Sequence, residues 1–68
     1  MKVQVKLLQS KEAKKINLVK DSIVFDLLKK LGIKPDTAIV MKKNIPMPED
    51  EKIQDNDVIT ILKVSSGG

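Results

Sequence analysis

One stretch of the chain, DSIVFDLLKKLGI over residues 21–33, carries a helical repeat, and no other stretch does. Val24, Leu27, Leu28 and Leu31 fall at i, i+3, i+4 and i+7, in one stripe along a helix. Ser22 is the expected N-cap, its hydroxyl oxygen accepting from an unpaired first-turn amide, and Asp21 competes for that role. Lys29 and Lys30 complement the C-terminal end of the helix dipole. Gly32 suits the left-handed position just past a helix, and Pro35 prevents the helix from resuming. Together these signals predict a helix over roughly residues 23–31.

Several stretches outside it alternate in their apolar residues. MKVQVKLL sets Val3, Val5 and Leu7 on one side and Lys2, Gln4 and Lys6 on the other, the pattern of a half-buried strand. QSKEAK is a polar connection, and KKINLV alternates again with Ile16 and Leu18 pointing one way, so the two strands read as a hairpin. TAIVMKK is a third strand. NIPMPEDEKIQDND is an irregular crossing in which Pro46 and Pro48 forbid a central strand. It ends in a turn at Asp55-Asn56-Asp57, whose short polar side chains bond back to the local backbone. DVITILKV is the last and most apolar strand. The order strand–strand–helix–strand–short crossing–strand defines an α+β domain over residues 1–64, with the helix on one face of the sheet and residues 65–68 as a flexible tail.

A single helix leaves the other sheet face without a covering layer. If Ile59 and Ile61 face the helix, Val58, Leu62 and Val64 point the other way. A central strand sheltered by its neighbours is one explanation of such an all-apolar segment. Exposed apolar residues of this kind also mark partner surfaces. The second reading has more weight, because Leu62 and Val64 adjoin the end of the chain.

Composition removes several function classes. Sixty-eight residues make one domain near the lower limit for an unaided core. The absence of cysteine and histidine removes disulfides, thiolate metal sites and the commonest general base. Residues 1–8 do not resemble a signal peptide, and no apolar run reaches the roughly 18–20 residues that span a bilayer, so no membrane partner and a cytoplasmic location are expected. The net charge of +4 comes from thirteen basic residues, all lysine, against nine acidic ones. With no arginine and Phe25 as the one aromatic, the chain lacks the bidentate readers and stacking platforms of nucleic-acid binders. Weak electrostatic attraction to RNA or to an acidic partner is the most that these dispersed lysines support.

The chain ends in KVSSGG, and two of its three glycines are the last two residues. A terminal dipeptide alone is weak evidence. It follows directly on the final strand, however, and no other group in the chain has the makings of a catalytic site. Without Cβ atoms, Gly67 and Gly68 can thread extended through a narrow channel into another protein's active site. The chemically special group is then the Gly68 carboxylate, an electrophile once it becomes a mixed anhydride.

SIVFDLLKKLGI, with its paired leucines and following glycine, and DNDVITILKVSSGG, an acidic turn leading to an apolar strand and terminal glycines, resemble the ThiS/MoaD family of β-grasp, ubiquitin-like sulfur carriers. The resemblance implies a mixed four- to five-stranded sheet gripping one helix. It also implies that the chain is not an enzyme and binds no cofactor or metal of its own. A ubiquitin-activating-type enzyme would adenylate Gly68 with ATP and magnesium. Sulfur from a persulfide donor would then replace AMP, and the resulting thiocarboxylate would serve a synthase in thiamine thiazole, molybdopterin or tRNA thiolation chemistry. Gly67, Ser66 and Ser65 would form the tail behind Gly68, and Leu62, Val64 and Val58 would dock the partner. The chain departs from the family pattern at Lys42-Lys43-Asn44, where an Asn-Gly pair is frequent, and in its basic balance. The runner-up is a protein modifier that ends in an isopeptide bond between Gly68 and a target lysine. A non-covalent binding module with an incidental tail comes third.

Overall fold

The computed structural model describes residues 1–64. Among them are five strands and one α-helix: β1 (Lys2–Leu7), β2 (Glu12–Asn17), α1 (Val24–Leu31), β3 (Ala38–Lys42), β4 (Ile45–Pro46) and β5 (Val58–Lys63). A 3-10 turn, Pro35–Thr37, precedes β3. The strands lie in the order β2-β1-β5-β3-β4. β1 and β5 run parallel, with Gln4 opposite Val58 and Leu7 opposite Ile61, and the other neighbours are antiparallel. The result is the expected α+β arrangement of a mixed sheet and one helix, with the last strand at the sheet's centre.

The helix buries the stripe that its spacing predicts. Val24, Leu27 and Leu28 pack against Val3 and Val5 of β1 and Ile59 and Ile61 of β5, and all seven are essentially inaccessible. Leu7, Ile16 and Leu31, expected in the same core, are only partly buried at its margin. Ile16 is on the edge strand β2, and Leu7 and Leu31 are the last residues of their elements, so each lacks a neighbour on one side. Three further core residues are Val40 of β3 and, from the crossing after β4, Met47 and Ile53. The crossing thus closes an end of the core that the helix cannot reach.

The helix start differs from expectation. Neither Ser22 nor Asp21 caps it; Ile23 is the N-cap residue and offers no side-chain bond. Ser22 is buried, and its hydroxyl donates to the Val19 carbonyl at 2.7 Å instead of accepting from the helix. The crossing satisfies the first-turn amides: Val24 N–H donates to the Glu51 carbonyl (3.0 Å) and Phe25 N–H to that of Glu49 (2.8 Å). The Asp26 carboxylate accepts from the Ile23 N–H at 3.0 Å. A cap supplied by a distant backbone makes a serine cap unnecessary. The C-terminus follows expectation: Gly32 has φ +73°, and Ile33 N–H reaches back to the Leu28 carbonyl at 2.9 Å, a Schellman closure.

The fifth strand of the expected four- to five-stranded sheet is the short β4, in a segment whose residues read as an irregular crossing. It pairs Lys42 with Ile45 and Met41 with Pro46 at the sheet's edge, where proline's missing N–H is tolerated. Lys43 and Asn44 between them both have positive φ, 53° and 64°, the signature of a type I′ hairpin turn built without glycine. Lys42 Nζ lies 2.8 Å from Asp57 Oδ1, and the other carboxylate oxygen of Asp57 accepts from Gln54 N–H at 2.9 Å. That nearly buried carboxylate ties β3 to the turn that launches β5.

Candidate functional site: the root of the tail and the open sheet face

β5 delivers the chain to its final residues from the middle of the sheet, and its end is held on both edges. On the β1 side the carboxamide of Gln9 replaces a strand: Nε2 donates to the Lys63 carbonyl (2.6 Å), and Oε1 accepts from the Lys63 N–H (3.2 Å). On the β3 side Val64 N–H donates to the Thr37 carbonyl at 2.8 Å. Residue 64 therefore leaves the domain in a direction set by two independent contacts. The expected tail, Ser65, Ser66, Gly67 and Gly68, lies outside the described residues.

The sheet face away from the helix follows from the register. β5 contributes Val58, Thr60 and Leu62; β3 places Ile39 opposite Leu62 and Met41 opposite Thr60; β1 places Gln4 opposite Val58 and Lys6 opposite Thr60. β2 adds Lys15 opposite Gln4. Val58, Ile39 and Val64 are exposed (44%, 42% and 37%), and Leu62 is half-buried between β1 and β3. β5 is thus central, and its outer side chains still meet solvent. The expected docking residues Val58, Leu62 and Val64 share this face. Ile39, Met41 and the clamp residues Gln9 and Thr37 join them without having been singled out from the sequence. Ile39 and Met41 alternate with Val40 and were findable. Gln9 sits in a polar connection and has no local signal.

Among the described residues there is no cluster of acidic, histidine or cysteine side chains able to hold a metal ion, and no helix long and apolar enough to cross a membrane. What the described residues offer is a β5 end held on both edges and an adjoining, partly exposed apolar surface.

A mixed sheet of this order gripping one helix, with the last strand central, defines a ubiquitin-like β-grasp fold. Residues 1–65 match the family described as Small archaeal modifier protein 2, and the chain belongs to that family, which is one of small protein modifiers and not of enzymes. A protein of Archaeoglobus fulgidus, itself uncharacterized, is 42% identical over 43 residues, covering 63% of this chain and 63% of that protein's own length. In fold the chain is similar to the Caldiarchaeum subterraneum ubiquitin (TM-score 0.80, 17% identity, 100% of this chain and 98% of that one). It is also similar to a putative molybdopterin converting factor, subunit 1, from Pyrococcus furiosus (TM-score 0.75, 19% identity, 94% and 98%). The likeness to these two proteins is one of fold.

Proposed function

We propose that this chain is activated at the carboxylate of Gly68 by a ubiquitin-activating-type enzyme and passed on as an acyl group. The observation that carries the reading is the two-sided clamp at Lys63 and Val64, which fixes the end of β5 beside the open sheet face. The carboxylate attacks the α-phosphate of ATP, pyrophosphate leaves, and the acyl adenylate replaces a very poor leaving group, hydroxide, with a good one, AMP. Magnesium and ATP belong to the enzyme. The open face, through Val58, Leu62 and Val64, docks that enzyme while Ser65, Ser66 and Gly67 span its channel.

Two acceptors fit the same adenylate. A target lysine amine attacks the carbonyl, AMP leaves, and an isopeptide bond forms; membership of a modifier family favours this outlet. The terminal sulfur of an enzyme persulfide attacks instead and AMP leaves, giving an acyl disulfide. A second enzyme thiol then attacks the cysteine sulfur of that bond, forming a protein disulfide and releasing the thiocarboxylate to a sulfur-accepting synthase. The likeness to the Pyrococcus protein favours this outlet. The location is cytoplasmic, where ATP and both acceptors are present.

The test is chemical trapping. With the activating enzyme of the same organism, ATP, magnesium and hydroxylamine, tandem mass spectrometry should find a hydroxamate at Gly68. An unmodified C-terminus beside an enzyme that activates its other substrates would overturn the reading.

A further inference from the structure

The open face is sorted by charge along the strands, and this points to the partner's chemistry. At the end where β1 and β5 begin, Lys2, Gln4, Lys15 and Asn56, with Val3 and Val58, surround a shallow cleft of about 160 Å³. At the opposite end, beside the end of β5, Leu62 is paired with Ile39, and Leu8, in the turn just past β1, is 48% exposed. Lys6 lies between the two ends, opposite Thr60. The strand residues of this face include no carboxylate. Asp55, in the turn before β5, accepts through Oδ1 from the main-chain N–H of Lys2 at 2.8 Å. Lys2 and Leu8 are six residues apart, about 20 Å at the rise of a strand.

We infer that the cleft receives a carboxylate side chain of the activating enzyme, from an acidic patch about 20 Å from the mouth of its tail channel. This rests on the activation reading above and adds which part of the face is read and by what group. Two ammonium groups and two carboxamides around one concavity supply up to ten N–H donors and a double positive charge, a set that favours an anion over a cation. The apolar end supplies contact area without direction. A charged anchor at the far end fixes the rotation of the domain about its tail and speeds encounter at low salt. A single-stranded nucleic acid would present anions too, but it would need stacking surfaces, and the face has no aromatic residue.

The experiment measures the carrier's KM and kcat in ATP–pyrophosphate exchange with the activating enzyme, at about 50 mM and about 300 mM salt. Variants are Lys2→Gln/Lys15→Gln and, with the same loss of charge on the helix side, Lys14→Gln/Lys29→Gln. The first pair should raise KM about tenfold at low salt, leave kcat within about twofold, and flatten the salt dependence. The second pair should behave as the wild type does. Exchange by the wild-type chain with an unchanged KM in Lys2→Gln/Lys15→Gln overturns the inference and leaves the activation reading standing. No exchange by the wild-type chain overturns both. Tight binding of a polyuridine oligonucleotide, abolished by Lys2→Gln/Lys15→Gln while KM is unaltered, assigns the lysines to nucleic acid and also overturns it.

Discussion

Gln9 and Lys63, 54 residues apart, are joined by two hydrogen bonds in the geometry of a strand pair, at 2.6 and 3.2 Å. β1 ends at Leu7, so without this side chain the last residue of β5 would have one free edge. Gln9→Ala should therefore loosen the tail root more than the domain. The bonds are exposed, and about 1 kcal/mol or less of stability should be lost. Amide hydrogen exchange at Lys63 should speed up while that of Ile59 and Ile61 holds. Unchanged protection at Lys63 would show that the clamp does not form in solution.

Leu28 is 1% exposed at the centre of the helix stripe. Leu28→Ala should cost about 2–5 kcal/mol, enough to unfold much of a domain this small. Urea denaturation followed by circular dichroism measures it. A loss under about 1 kcal/mol would contradict the packing of α1 against β1 and β5.

The features legible in the sequence are those with a local period or a local stereochemical demand. Val24, Leu27 and Leu28 repeat as a helix does, Val3, Val5, Ile59 and Ile61 alternate as strands do, and Gly32 announces its left-handed cap. Met47 and Ile53 escape notice because the crossing that carries them has no period, although both are core residues. Ser22 misleads for a related reason: the carbonyls that cap the helix come from Glu49 and Glu51, and a serine in the right place cannot reveal that its role is filled from elsewhere. β4 has only two residues, one of them proline. Of the candidate site, the apolar outer side of β5 was legible, whereas Gln9 and the lysine cleft depend on strand register.

The Lys43-Asn44 turn holds two non-glycine residues at positive φ. Replacing the pair by Asn-Gly, the preferred type I′ sequence, should stabilise the hairpin by about 1 kcal/mol and raise Tm by about 4–8 °C. Calorimetry decides. A fall in Tm would mean that the turn has another conformation in solution.

Leu62 is half-buried on the open face and is not part of the core cluster. Leu62→Lys should leave the fold nearly intact and weaken binding to the activating enzyme by about 2 kcal/mol or more, the loss typical of a central interface residue. Titration calorimetry against that enzyme, with circular dichroism as the folding control, checks both halves. Undiminished binding would remove Leu62 from the interface.

Activation at the terminal carboxylate is the central claim, and it depends on reach. The carboxylate must come to about 3–3.5 Å from the α-phosphate of ATP, so an error of one residue in tail length should be fatal. The direct measurement is ATP–pyrophosphate exchange with the chain as it stands, with Gly68 removed, and with one alanine added after Gly68. The account predicts exchange for the first alone, with the same thermal stability for all three. Exchange that persists with the alanine-extended tail would contradict carboxylate activation at Gly68 and favour a module that works through its sheet face.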